Sequence, residues 1–103
     1  MPDEYGYPTE EELEYIRNFN TAENDWNELM EYIQGIWTYG ESAFYKDNFR
    51  WIVHTLGWSG NEEIIGSMMN NTIFWIMYWE ESRRGGHYKF SKIHDEIKEE
   101  DND

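Results

Sequence analysis

Three histidines, His54, His87 and His94, and 22 Asp and Glu side chains are the groups in this chain able to carry a proton or hold a metal. His87, His94, Asp95 and Glu96 could together offer nitrogen and oxygen donors, but their spacing matches no zinc template. The sequence holds no H-E-x-x-H pair, no Gly-rich phosphate loop and no G-x-S-x-G elbow. Catalysis by paired carboxylates needs one of them in apolar surroundings that shift its pKa. Glu41 and Asp47, in the aromatic middle of the chain, come nearest to that condition, while the other acids sit among polar neighbours. The tail acids Glu99, Glu100, Asp101 and Asp103 lack the turn glycine and spacing of a calcium loop. There is no cysteine, so neither disulfides nor thiolate metal ligands are available. The expectation is a protein that is not an enzyme and has no cofactor or metal.

The acids carry a different signal in their spacing. Helical positions three and four apart are surface neighbours, with Cβ atoms roughly 5–6 Å apart. Glu10–Glu14 and Glu11–Glu14 satisfy that spacing, and so does the series Asp25–Glu28–Glu31. Like charges placed this way destabilise a helix by a few tenths of a kcal/mol per pair, roughly. The helix dipole accounts for acids in a first turn, such as Glu10–Glu12 and Glu23 with Asp25. It does not account for Glu14, Glu28 or Glu31. A surface that accepts such repulsion repeatedly is shaped for a basic partner, which it would steer and bind. The predicted contact surface is therefore Glu10, Glu11, Glu14, Asp25, Glu28 and Glu31.

Helical elements are expected to position these acids. Thr9 with Glu12 forms a capping box ahead of Leu13, Ile16 and Phe19. Asn20 with Glu23 can cap a second helix, whose stripe Trp26, Leu29, Met30, Ile33, Ile36, Trp37 runs toward a stop at Gly40. A third helix is predicted over residues 42–56, with Phe44, Tyr45, Phe49, Ile52, Val53 and Leu56 inward and Gly57 at its end. Ser59 with Glu62 opens a fourth, carrying Ile64, Ile65, Met68, Met69, Ile73 and Ile76 on one face. Residues 72–79, TIFWIMYW, are apolar all round, so this half-helix is either buried or an aromatic interface using Phe74 and Tyr78. A strand there, pairing with residues 87–93 through a loop at 80–86, is the competing reading. The helix is preferred because the period continues unbroken from Ile64. A short last helix is expected over 91–99, using Phe90, Ile93 and Ile97, with frayed acidic ends at about 1–8 and 100–103. The predicted fold is all-α, a single domain over residues 1–103 with four helices and a short fifth. The alternative is α+β with a C-terminal hairpin. No internal repeat is visible.

Charge and composition narrow the function. The net charge is −14, and residues 1–31 hold ten acids against one base, Arg17. A disordered acidic chain would be poor in aromatics, whereas this one is 18% Phe, Trp and Tyr and is expected to fold. Direct nucleic-acid binding is disfavoured, because affinity for the phosphate backbone comes largely from Lys and Arg. Only Arg83, Arg84, Lys89 and Lys92 approach a basic patch. Anionic membrane surfaces are disfavoured on the same ground. The most apolar window, residues 64–79, is too short and too polar for a span, and residues 1–7 lack a signal-peptide core. A cytoplasmic location is the expectation. The short, cysteine-free, strongly acidic and aromatic-rich composition resembles phage-encoded DNA-mimic inhibitors and the acidic immunity proteins of nuclease toxins. The resemblance is one of composition, and no motif or functional residue carries over. It implies a small acidic inhibitor that binds and masks a basic nucleic-acid-handling protein. The alternatives are an immunity protein for a nuclease toxin, or an adaptor or self-assembling protein, with a homodimer as one form, that uses the aromatic helix.

Overall fold

In the computed structural model, which describes residues 7–38 and 40–92, the Thr9 hydroxyl accepts from the Glu12 amide at 3.2 Å, while the Glu12 carboxylate accepts from the Thr9 amide at 2.8 Å. That reciprocal capping box opens helix α1, Glu10–Asn18. Helix α2, Trp26–Ile36, is capped by Asp25 and not by Asn20. Asn20 instead closes the preceding turn, its side chain accepting from the Ala22 amide. The predicted stripe of α2 is the buried one: Trp26, Leu29, Met30, Ile33 and Ile36, followed by Trp37. The helix stops at Ile36, before Gly40, which starts a short 3-10 turn at Gly40–Ser42.

The all-α reading is overturned from this point on. Residues 42–56 form no α-helix; they make strands β1, Phe44–Asp47, and β2, Arg50–His54. Asn48, at φ 59°, opens the tight turn between them, a left-handed conformation that Asn tolerates better than most residues. The helical stripe placed Tyr45, Phe49 and Leu56 inward, yet they are 37%, 53% and 57% exposed. It omitted Trp51, which is 3% exposed and alternates with Val53 on the buried face of β2. Two signals overlapped in this segment, and the period of two won because β-branched and aromatic residues pack well on a pleated surface.

The predicted fourth helix is divided. Helix α3, Ser59–Asn70, begins after Trp58 without a side-chain cap, so Ser59 and Glu62 make no capping box. At Asn71 the backbone leaves the helical region, and helix α4, Thr72–Tyr78, starts afresh with the Asn71 side chain accepting from the Phe74 amide. Immediately after it, strand β3, Trp79–Arg83, turns through Gly85 and Gly86 into strand β4, His87–Phe90. Residues 72–78 are thus helical, and the hairpin of the alternative reading exists one element later. The predicted helix over 91–99 lies outside the described residues, apart from its first two positions. Phe90, assigned to it, is buried in β4. The fold is α+β.

The four strands form one antiparallel sheet in the order β1-β2-β4-β3. Its inner face presents Phe44, Trp51, Val53 and Phe90 to the helices. Helix α2 is pinned to it by polar contacts as well as packing. Gln34 donates to the Phe44 carbonyl at 2.8 Å, Trp37 Nε1 to the His54 carbonyl at 3.1 Å, and Trp51 Nε1 to Asn27 Oδ1 at 2.9 Å. Trp26 stacks on Tyr78 with ring centroids 4.4 Å apart, joining α2 to α4. The β3–β4 turn fits closely against β2: a Cβ at Gly86 would run into Thr55 Oγ1, and the Gly86 carbonyl accepts from the Thr55 amide. Among the described residues, no helix is long and apolar enough to cross a membrane.

Candidate functional site

Tyr15 and Phe19 lie one helical turn apart on α1, and their ring centroids are 5.8 Å from each other. Tyr32 of α2 meets Tyr15 at 4.2 Å, so three rings bridge the two helices. Beside them is an open groove of about 530 Å³ lined by Glu11, Glu14, Tyr15, Asn18, Phe19, Asn20, Asn24 and Glu28. Two of its acids come from α1 and one from α2. None of the three forms an ion pair among the described residues. The local field is negative. Burial raises the Tyr32 hydroxyl above its ordinary value, and the charges of Glu12, Tyr15 and Glu11 add to the rise.

The six acids read from the sequence separate into distinct situations. Glu11, Glu14 and Glu28 are brought together in the groove. Glu10 is paired with Arg17 at 2.9 Å. Asp25 is spent on structure, as its carboxylate accepts from the Asn27 amide at 3.0 Å and caps α2. That backbone bond holds the Asp25 carboxyl below the usual Asp range. Glu31 is exposed on α2, one turn beyond Glu28, outside the groove lining. Phe74 and Tyr78, read as a possible aromatic interface, are 0% and 8% exposed and belong to the core. The same helix turns Ile73, Ile76 and Met77 outward instead.

Sequence reasoning missed the groove's other half. The i, i+4 pair Tyr15–Phe19 beside Glu11 and Glu14 was a usable signal, as was the run of Asn18, Asn20 and Asn24. It also missed Asn71, whose side-chain nitrogen donates to the carbonyls of Ile16 and Phe19, both at 2.9 Å. That clamp fixes the end of α1 where Phe19 and Asn20 enter the groove.

The sheet's outer face carries a second polar feature. His54 and His87 are directly opposed across β2 and β4, and their Nδ1 atoms are 2.6 Å apart. One imidazole must donate and the other accept, which a doubly protonated pair cannot do. Burial, then the charge of His87, lowers the His54 pKa. A lowered histidine pKa means that the unfolded chain binds the proton more readily. The contribution to stability is present above the unfolded value, about 6.5, and is lost as the pH falls through the folded one. The urea midpoint of wild type is therefore expected to drop between pH 7.5 and 5 by more than that of His54→Gln. Parallel drops would remove the pair from the pH response.

Among the described residues no three His, Asp or Glu side chains gather into a metal-binding group. His94, Asp95 and Glu96 lie outside those residues, as do the tail acids. Glu41 and Asp47 stand exposed, in the 3-10 turn and at the end of β1. The fold and groove define an acidic α+β protein with an anionic, aromatic-sided cleft. Comparison with known protein families, with characterised proteins and with solved structures gives no match.

Proposed function

We propose that this protein binds the cationic surface of a nucleic-acid-handling protein through the α1–α2 groove and so masks it. The observation that carries the reading is that Glu11, Glu14 and Glu28, unpaired with any base among the described residues, line one groove beside the exposed Tyr15 ring. Three carboxylates lining one groove from two helices add to a negative local field, and a cationic group entering the groove lowers that field's energy. Tyr15, 45% exposed, offers its ring to the flat side of a guanidinium, and the amide oxygens of Asn18, Asn20 and Asn24 are further acceptors. Arginine suits such a site better than lysine, because its planar fork can stack and form two hydrogen bonds at once. The rest of the negative surface steers the partner in, with an on-rate that falls as salt rises.

The test uses a fluorescent deca-arginine peptide and then a basic DNA-binding protein loaded with labelled duplex. Reversing Glu11, Glu14 and Glu28 to Lys should weaken peptide binding about tenfold or more and remove the displacement of DNA. Reversing Glu41, Glu62 and Glu63, which changes the net charge equally away from the groove, should cost less than about threefold. Equal losses in the two variants would reduce the groove to one part of a diffuse charge. No loss in either would end the proposal.

A further inference from the structure

Between Glu63 and Glu80 the chain carries no Asp, Glu, Lys, Arg or His, a gap of 16 residues in a molecule of net charge −14. The gap includes the second half of α3 and all of α4. Its inward side chains, Phe74 and Tyr78, are buried. Its outward ones are not: Ile73 is 59% exposed, Ile76 64% and Met77 39%. These three are spaced i, i+3, i+4 on α4 and so form one continuous face. Met69, near the end of α3, and Trp79, at the start of β3, are also exposed, at 52% and 37%. Nothing among the described residues requires this. The helix already buries its other side against Phe90 and Trp26.

We propose that the Ile73–Ile76–Met77 face of α4 is a self-association surface whose occupant is a second copy of this chain. Charge is the first reason. The groove and the negative surface around α1 and α2 select a basic partner, yet the α4 face offers a cation nothing. An apolar, uncharged surface is matched by one of the same kind, and a second copy supplies it by a two-fold axis without further design. Two copies approach with least repulsion where neither presents charge, and the α3–α4 stretch is the longest such place in the sequence. Area is the second reason. The five exposed side chains amount to on the order of 500 Å² per copy, the size at which an exposed patch is commonly functional. Two copies would bury about 1,000 Å², at the lower limit for a specific interface and below that of a permanent dimer. The expected assembly is thus a reversible dimer that forms with concentration.

Its salt response is opposite to that of the groove. Screening reduces repulsion between two acidic copies, so dimerisation strengthens with salt while binding of a basic partner weakens. Sedimentation equilibrium of the full chain, over a wide concentration range at low and high salt, should show a monomer–dimer equilibrium whose constant tightens about tenfold at high salt. The double variant Ile73→Glu and Ile76→Glu should remain monomeric throughout with an unchanged circular-dichroism spectrum, since both side chains are more than half exposed. Deca-arginine binding by that variant should match wild type. A wild type that stays monomeric at every concentration and salt overturns the proposal, as does a variant that still dimerises. A dimer that weakens with salt overturns it as well, because the contact would then be ionic. If wild type is monomeric and the variant loses deca-arginine binding, the face belongs to the basic partner.

Discussion

Phe74→Ala is expected to lower the unfolding free energy by about 3–5 kcal/mol, the usual cost of removing a fully enclosed aromatic ring. Phe74 is 0% exposed, with its ring centroid 5.6 Å from that of Phe90 and 5.7 Å from that of Tyr78. It joins α4 to the central strand β4, and Tyr78 in turn stacks on Trp26 of α2. The cavity left by alanine would open where helix, helix and sheet meet, and neighbours fixed on three elements can relax only partly into it. Ile76→Ala, on the same helix, is expected to change stability by less than about 0.5 kcal/mol, because that side chain is 64% exposed. Paired urea titrations measure both. A Phe74 variant that loses under about 1 kcal/mol would mean that α4 is turned the other way.

The second large effect is expected at Asn71, which is 6% exposed and bonded at both ends of its amide. Its nitrogen satisfies two carbonyls, those of Ile16 and Phe19, and its oxygen caps α4 through the Phe74 amide. Asn71→Asp keeps the cap and the shape but sets an acceptor against two acceptors. A buried group left unsatisfied costs about 1–3 kcal/mol, so losing both donor bonds should cost about 3 kcal/mol or more near neutral pH. The sign of its pH dependence makes the test specific. Burial beside two carbonyl oxygens disfavours the charged form and raises the variant's carboxyl pKa in the folded state. Stability is then present at low pH and is lost as the pH rises through the folded value, so the gap from wild type should narrow on acidification. A gap that stays constant or widens as the pH falls would show that the carbonyl clamp is absent. Because the clamp holds the end of α1, this variant should also weaken deca-arginine binding, though no acid has been touched.

The contrast between those two residues shows where sequence reading reached and where it stopped. Local signals were legible wherever chemistry within one or two turns decided the outcome. The Thr9–Glu12 capping box and the buried stripe from Trp26 to Trp37 form as read, because caps and amphipathic periodicity depend on neighbours along the chain. The sequence alone also determined that the first third is the acidic end, since no fold can move those charges along the chain. Residues 42–56 were misread because their apolar positions fit both a helical and an alternating period. What selects the strands is their ladders with β1 on one side of β2 and β4 on the other, and β4 lies more than thirty positions later. The break at Asn71 was equally hidden, because its hydrogen-bond partners are 55 and 52 positions away. Likewise the six acids were equivalent as spacing. Glu10 pairs with Arg17 on its own helix and Asp25 caps its own helix, both within seven positions, whereas only the tertiary structure assigned Glu11, Glu14 and Glu28 to one groove. A carboxylate's role depends on which groups surround it, and those around the groove are gathered from two helices and the turn between them.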